Sequence, residues 1–249
     1  MNKIGLIARM ILFYKKPFSV INKVFSKKNI FSLVQSKKGN YFLVRDNSRD
    51  INTINEIFLF KIYNKYIRNN SSTIIDIGAN IGAFSILIAS TMKECKVYAY
   101  EPSNETFNIL NSNVFLNKLH KKVKIEKKAI ASKSGKRKFN VYPGNFEASS
   151  LYKMANLPSY IEDVECISIN DVFRQNKIQH CDLIKIDYEG AEYEIIKSMN
   201  KKILGKVDSI LIEYHLGDTD SIKTKLLNSG FNVEVMPATS KSGIIFAKK

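Results

Sequence analysis

The run TIIDIGANIGAFSILIAS, Thr73–Ser90, decides how the chain reads. Its first five residues, rich in isoleucine, form a strand-like segment. A turn carrying Gly78 and Gly82 follows and passes directly into an apolar helical stretch. Such a strand delivers Asp76 to the carboxyl edge of a sheet. The two glycines let the turn approach a ligand closely, and the next helix presents its N-terminus there. A dinucleotide fingerprint reads G-x-G-x-x-G, and its middle glycine admits a pyrophosphate. Here the run is G-A-N-I-G, with Asn80 in place of that glycine and Asp76 ahead of the turn. A carboxylate repels pyrophosphate but suits a cationic amine or sulfonium. The spacing therefore favours S-adenosylmethionine over NAD as the cofactor.

Glu101 supports this. It ends the next strand-like segment, VYAYEP, nineteen residues after Gly82. An acid about 20 residues downstream, at the end of the second strand, is where a ribose diol finds its acceptor. A tight turn with a solvated glutamate is the alternative reading of the same residues.

Downstream, short apolar segments alternate with helical patterns: KVYAY and NETFNILNSNVFL, KVKIEKKAI, DLIKID and AEYEIIKSM, SILIEY and SIKTKLLNS. That alternation predicts an α/β fold, a doubly wound and mostly parallel sheet with helices on both faces. The closing pair FNVEV and GIIFAKK adds one antiparallel strand near the edge. Upstream, Asn40–Asp46 reads as a strand and Ile51–Ile67 as a helix. Lys136–Tyr142 and Val164–Ile169 read as strands flanking an irregular loop, Pro143–Tyr160, which is either a substrate lid or a plain surface loop.

Two clusters sit where catalysis would be. KIDYEGAE places Asp187 and Glu189 at a strand end beside the cofactor turn, with Lys185 behind them and Glu192 opening the next helix. Acids gathered this closely need a cation, a metal or a shared proton, unless they simply cap the helix. IEYH places Glu213 and His215 at the following strand end, on one face. His215 is one of three histidines, and a near-neutral imidazole is a natural general base; a core or surface histidine is the plainer reading. Asp187, Glu213 and His215 offer a metal site as a second possibility, though no motif spacing supports a metal.

IIDIGANIGAFS, VYAYEPSNETFNILNSNVFLN, DLIKIDYEGAEYEII and ILIEYH together resemble the FkbM-type family of S-adenosylmethionine-dependent methyltransferases. LVRDNSRDINTINEIFLFKIY is similar to that family's lead-in segment, so the resemblance covers roughly residues 41–235. It implies a class I methyltransferase fold with seven strands, and O-methylation of a hydroxyl on a saccharide, glycolipid or secondary metabolite. By position it implies that Asp76, Gly78, Asn80 and Gly82 line the methionine part of the cofactor. Glu101 would hold the ribose, and Ala129 and Ile130 would border the adenine. Asp187, Glu189 and His215 are the catalytic candidates. The chain departs from the family at SINDV, where Asn170 stands at an aspartate position and Asp171 follows it.

Composition narrows the alternatives. The 249 residues carry a formal charge of +16, and nine of those excess charges fall in residues 1–40, which contain no acid. The expected organisation is a basic amphipathic extension over 1–40 and a methyltransferase domain over 41–249. Ile4–Tyr14 is apolar but interrupted by Arg9, and it falls short of the about 20 residues a bilayer span needs. It lacks a cleavage site, so a signal peptide is not expected. Either it packs on the domain or it lies on an anionic membrane surface. Cys95, Cys166 and Cys181 are scattered, which suits a reducing, cytoplasmic setting. The lysine-rich run Asn117–Lys138 lacks the interleaved aromatics of a nucleic-acid track, so an RNA substrate is disfavoured. An NAD-dependent oxidoreductase and a non-catalytic, membrane-associated binding module remain as rivals.

Overall fold

Runs of β-branched residues become strands and the intervening periodic runs become helices, in the order the sequence predicts. In the computed structural model, which describes residues 3–24, 31–153, 158–215, 219–239 and 242–249, the chain opens with helices α1 (Lys3–Phe13) and α2 (Pro17–Val24). A hairpin of β1 (Phe31–Gln35) and β2 (Tyr41–Arg45) follows, then α3 (Asp50–Ile54). The first half of the main sheet comprises β3 (Thr73–Ile77), α4 (Ala83–Thr91), β4 (Lys96–Tyr100), α5 (Asn104–Leu116) and β5 (Val123–Glu126). Three strands, β6 (Ala129–Ala131), β7 (Gly135–Val141) and β8 (Tyr160–Ser168), form a small separate sheet. Then come α6 (Ile169–Gln175), β9 (Leu183–Asp187), α7 (Glu192–Ser198), α8 (Lys201–Gly205) and β10 (Ser209–His215). Helix α9 (Thr219–Leu227) leads into β11 (Asn232–Pro237) and β12 (Ser242–Lys248).

The seven strands of the main sheet are ordered β11-β12-β10-β9-β3-β4-β5. All neighbours from β10 to β5 run parallel, and β12 runs antiparallel to both β10 and β11. The expected doubly wound sheet with one antiparallel strand near its edge is what the chain builds. Chain order reverses between β3 and β9, so the crevice for a ligand opens at their carboxyl ends. Registers Ile77↔Tyr100, Ile77↔Ile186 and Glu213↔Asp187 bring four strand ends to that one edge. Apolar clusters cover both faces of the sheet.

Three readings need correction. The segment Ile51–Ile67 is not one helix. After α3 it widens into a π-turn at Asn55–Leu59, breaks at Lys61 with φ 55°, and ends in a 3₁₀ turn at Asn64–Tyr66. Ile54 and Ile57, three residues apart across the widened turn, are both buried. The single strand expected at KVKIEKKAI divides into β5 and β6, which belong to different sheets. The loop Pro143–Tyr160 carries a short 3₁₀ turn at Phe146–Ala148, and Ser150 forms a bridge with Asn140; residues 154–157 lie outside the described residues. Strand β1 pairs with β2 across the boundary expected between residues 40 and 41.

The hairpin joins the main body through asparagines rather than another strand. Asn113 of α5 accepts from the Leu43 N–H at 2.5 Å and donates to the Leu43 and Ile81 carbonyls at 3.2 and 2.9 Å. Asn117 repeats the exchange with Tyr41, accepting at 2.9 Å and donating at 2.7 Å. These side-chain amides imitate a neighbouring strand and satisfy a sheet edge that would otherwise be buried unpaired. We expect Asn113→Ala to cost about 2–4 kcal/mol in equilibrium denaturation, because it strands two or more buried backbone groups.

Candidate active site

The turn after β3 is held from three sides. Gly78 has φ 74°, and a Cβ there would collide with the carbonyl oxygen of Asp187. The ends of β3 and β9 can approach this closely only with glycine at that position. Gly82 has φ 87°, and its missing Cβ makes room for Leu110 of α5. Gly78 and Ala79 both donate to the Tyr100 carbonyl, at 3.1 and 3.0 Å. Asn80, itself at φ 51°, donates its N–H to Glu101 Oε2 at 3.0 Å, and Ser103 N–H bonds Oε1 at 3.0 Å. Burial pushes Glu101 up to about 7, against those two hydrogen bonds.

Asp76 is fully buried beneath the turn. It accepts from Ser85 Oγ at 2.7 Å and lies 3.6 Å from the Lys185 ammonium, which also reaches Asp187 at 3.1 Å. Burial lowers the lysine's pKa, but Asp187 and Asp76 outweigh it and hold the ammonium charged. Its sides are covered by the rings of Tyr63 and Phe84.

Above these residues lies a cavity of about 280 Å³, reached by Gly78, Asn80, Asp187, Glu189, Glu213 and His215. A smaller cavity of about 40 Å³ adjoins it, sharing Gly78, Asn80, Glu147 and Asp187 and adding Glu101, Phe139 and Tyr188. The 3₁₀ turn of the Pro143–Tyr160 loop roofs both through Glu147. Arg49 holds Glu147 at 2.6 Å, and the Arg45 guanidinium sits 3.8 Å from the Phe146 ring centre.

His215 is oriented by a residue whose sequence position suggested only a helix start. Glu192 is fully buried, and its carboxylate accepts from the Tyr188 and Gly190 N–H groups at 3.2 and 2.8 Å. Its Oε1 also lies 3.4 Å from His215 Nδ1, while His215 Nε2 sits 3.8 Å from Glu189 Oε1. Burial alone would lower the imidazole; the Glu192 hydrogen bond and Glu189 outweigh it and raise it to about 9. Glu189 rises to about 7 through burial, and Glu213 to about 7 through Asp187 and burial. Tyr63 donates to Glu213 at 2.6 Å. The ligand atoms of Asp187, Glu213 and His215 all lie within 4.8 Å of one another, close enough to hold a metal ion. Each also has a protein partner: Lys185 on Asp187, Tyr63 on Glu213 and Glu192 on His215 Nδ1.

Residues 76–233 match the family described as the Methyltransferase FkbM domain. The chain belongs to the FkbM methyltransferase family. It is 27% identical over 208 residues to Methyltransferase sdnD of Sordaria araneosa, covering 72% of this chain and 80% of that protein. Over 190 residues it is 23% identical to 31-O-demethyl-FK506 methyltransferase FkbM of Streptomyces tacrolimicus, covering 64% and 72%. Hexuronic acid methyltransferase AglP of Haloferax volcanii is 27% identical over 153 residues, covering 61% of this chain and 60% of that protein. This FkbM methyltransferase therefore takes its methyl group from S-adenosylmethionine.

The cradle fits that donor. Asn80 keeps a buried side-chain oxygen without a hydrogen-bond partner at the cavity wall, and Glu101 presents a buried carboxylate on the β4 side of the same turn. Gly78, Asn80 and Glu101 thus reach the cavities, while Asp76 and Gly82 lie one layer behind, Asp76 countering Lys185 and Gly82 admitting Leu110. Ala129 and Ile130 line neither cavity. Both are fully buried, and β6 pairs there with Cys166 and Ile167 of β8. Asp171, beside Asn170, lies away from both cavities: its N–H caps on Ser168 Oγ, and its carboxylate accepts from Ser134 and Ser168 at 2.6 and 2.9 Å. Arg49, Glu56, Tyr63 and Glu147 reach the large cavity without any sequence reading having placed them there.

We expect Glu101→Gln to weaken S-adenosylhomocysteine binding by about 10–100-fold in calorimetry, the loss of a charged hydrogen bond. The acids raised to about 7 and His215 raised to about 9 all have folded pKa values above their unfolded ones. Their stabilising effect is complete below the unfolded values and is lost as pH rises through the folded ones. The melting temperature of the cofactor-free protein should therefore fall as pH rises from about 5 to about 9. A rise over that window would contradict the assignment.

Proposed function

We propose that this methyltransferase is an O-methyltransferase that acts by direct displacement on a hydroxyl of a saccharide, glycolipid or secondary metabolite. The carrying observation is the buried Glu192 aligned on His215 Nδ1, which leaves Nε2 at the cavity that Gly78 and Asn80 also line. Bound S-adenosylmethionine supplies an electrophilic methyl group. As the acceptor oxygen gains that carbon, its proton passes to Nε2 of His215, and Glu192 and Glu189 share the resulting positive charge. Asp187 keeps Lys185 in place beneath the reacting edge.

The large cavity carries Glu56, Glu147, Asp187, Glu189 and Glu213, although the protein as a whole is strongly basic. These acids stand beside Arg49, Lys185 and His215, and a polyanion such as RNA would meet more carboxylates than cations there, so RNA fits poorly. Two relatives are named for a demethylated oxygen of a metabolite and for a hexuronic acid, which supports an oxygen acceptor on a saccharide or metabolite.

Radiolabelled methyl transfer into fractionated cell extract tests the acceptor class; label in RNA alone would overturn it. For the base, kcat/KM should rise with pH and level off near pH 9, the value to which His215 is raised in the free enzyme. His215→Gln should remove that limb and lower the rate by about 10²–10⁴-fold. A limb near pH 7 that survives the substitution would move the role to Glu189 or Glu213.

A further inference from the structure

Helix α1 is apolar on both sides. Its inner side packs Met10 into the core, with Leu6 and Phe13 partly covered, and Tyr14, the residue just past its end, is also buried. The outer side carries Ile7, Ala8, Ile11 and Leu12, spaced to share one face, with Leu12 72% exposed. A surface helix of a globular domain normally places charge there. Lys15 and Lys16 follow at its end, both exposed, and Phe18 opens α2 at 71% exposure. Six of the twelve large apolar side chains exposed among the described residues fall within residues 7–33, so exposure is concentrated in this region rather than scattered.

Charge selects what covers this face. Residues 1–40 hold nine basic side chains and no acid. A second copy of the chain seated here would bring two such basic segments together with nothing to neutralise them. An anionic lipid surface supplies both missing partners, headgroup charge for the lysines and an acyl boundary for Leu12 and Phe18. We propose that the outer face of α1, together with Lys15, Lys16 and Phe18, seats this protein on an anionic bilayer without crossing it. No helix among the described residues is long and apolar enough to cross a membrane.

The seat lies directly behind the cavity wall. Helix α1 and the residue after it hold the π-turn Asn55–Leu59: Arg9 of α1 donates to the Leu59 carbonyl at 3.3 Å, and Tyr14 donates to Asn55 at 2.9 Å. Glu56 and Ile57 of that same turn line the large cavity. One helix diameter, about 10–12 Å, therefore separates lipid from the cavity wall, which suits an acceptor carried on a lipid.

Flotation of the full chain with vesicles tests the seat independently of methyl transfer. Vesicles of phosphatidylcholine mixed with phosphatidylglycerol should carry the protein up, and phosphatidylcholine alone should not. Ile11→Ser/Leu12→Ser/Phe18→Ser and Lys15→Glu/Lys16→Glu should each weaken binding by about tenfold or more, with unchanged melting curves because the altered side chains are exposed. The proposal is overturned if the wild type does not float, if it floats equally with neutral vesicles, or if the variants bind as tightly as wild type. Light scattering that shows a wild-type dimer dispersed by the triple serine variant would instead assign the face to a second copy.

Discussion

Contact between Gly78 and the Asp187 carbonyl is the constraint on which the site depends. It is where the ends of β3 and β9 meet, at the point where chain order reverses, and no side chain at residue 78 could be accommodated. Bringing those ends together also sets the buried Asp76 close to Asp187 at the cavity edge, which would be costly without a counter-charge. Lys185, one strand position back from Asp187 on the same face, lies between them. The close backbone approach and the buried ammonium are therefore two parts of one solution. The cofactor turn can stand at the sheet edge because the charge beneath it is balanced.

The second layer of the site works by a different balance. Glu101, Glu147, Glu189 and Glu213 are all pushed up to about 7, most of them by burial and Glu213 chiefly by Asp187, so a cofactor-free cavity holds its acids near half protonation around neutral pH. A sulfonium-bearing ligand entering such a cavity favours the ionised forms, and its binding is thereby coupled to proton release.

Legibility from sequence followed locality. The strand, glycine turn and acid from Thr73 to Glu101 were readable because each signal lies within one βα unit and has a fixed spacing. The antiparallel strand near the edge was readable from the closing strand pair. Glu192 was not, because its role depends on the chain reversing through Glu189 and Gly190, both at positive φ, which turns a helix-opening acid inward onto His215. Ala129 and Ile130 were assigned by position alone, and they are fully buried where β6 pairs with β8. Glu56 and Tyr63 were hidden in a segment whose apolar spacing reads as uninterrupted helix, and Arg49 lies just ahead of it.

That segment shows why period alone fails there. An uninterrupted α-helix from Ile51 to Ile67 would advance about 100° per residue throughout and present a single inward stripe. This chain needs two inward-facing surfaces from the same stretch. Asn55 meets Tyr14, just past α1, on one side, while Glu56 and Tyr63 reach the cavity on the other. Adjacent positions 55 and 56 lie about 100° apart around the axis, which divides them between Tyr14 and the cavity, and the π-turn and the break at Lys61 end the regular helix before Tyr63. The irregularity is where the N-terminal helices and the catalytic edge are physically joined, so a load on the outer face of α1 bears on the segment that forms the cavity wall.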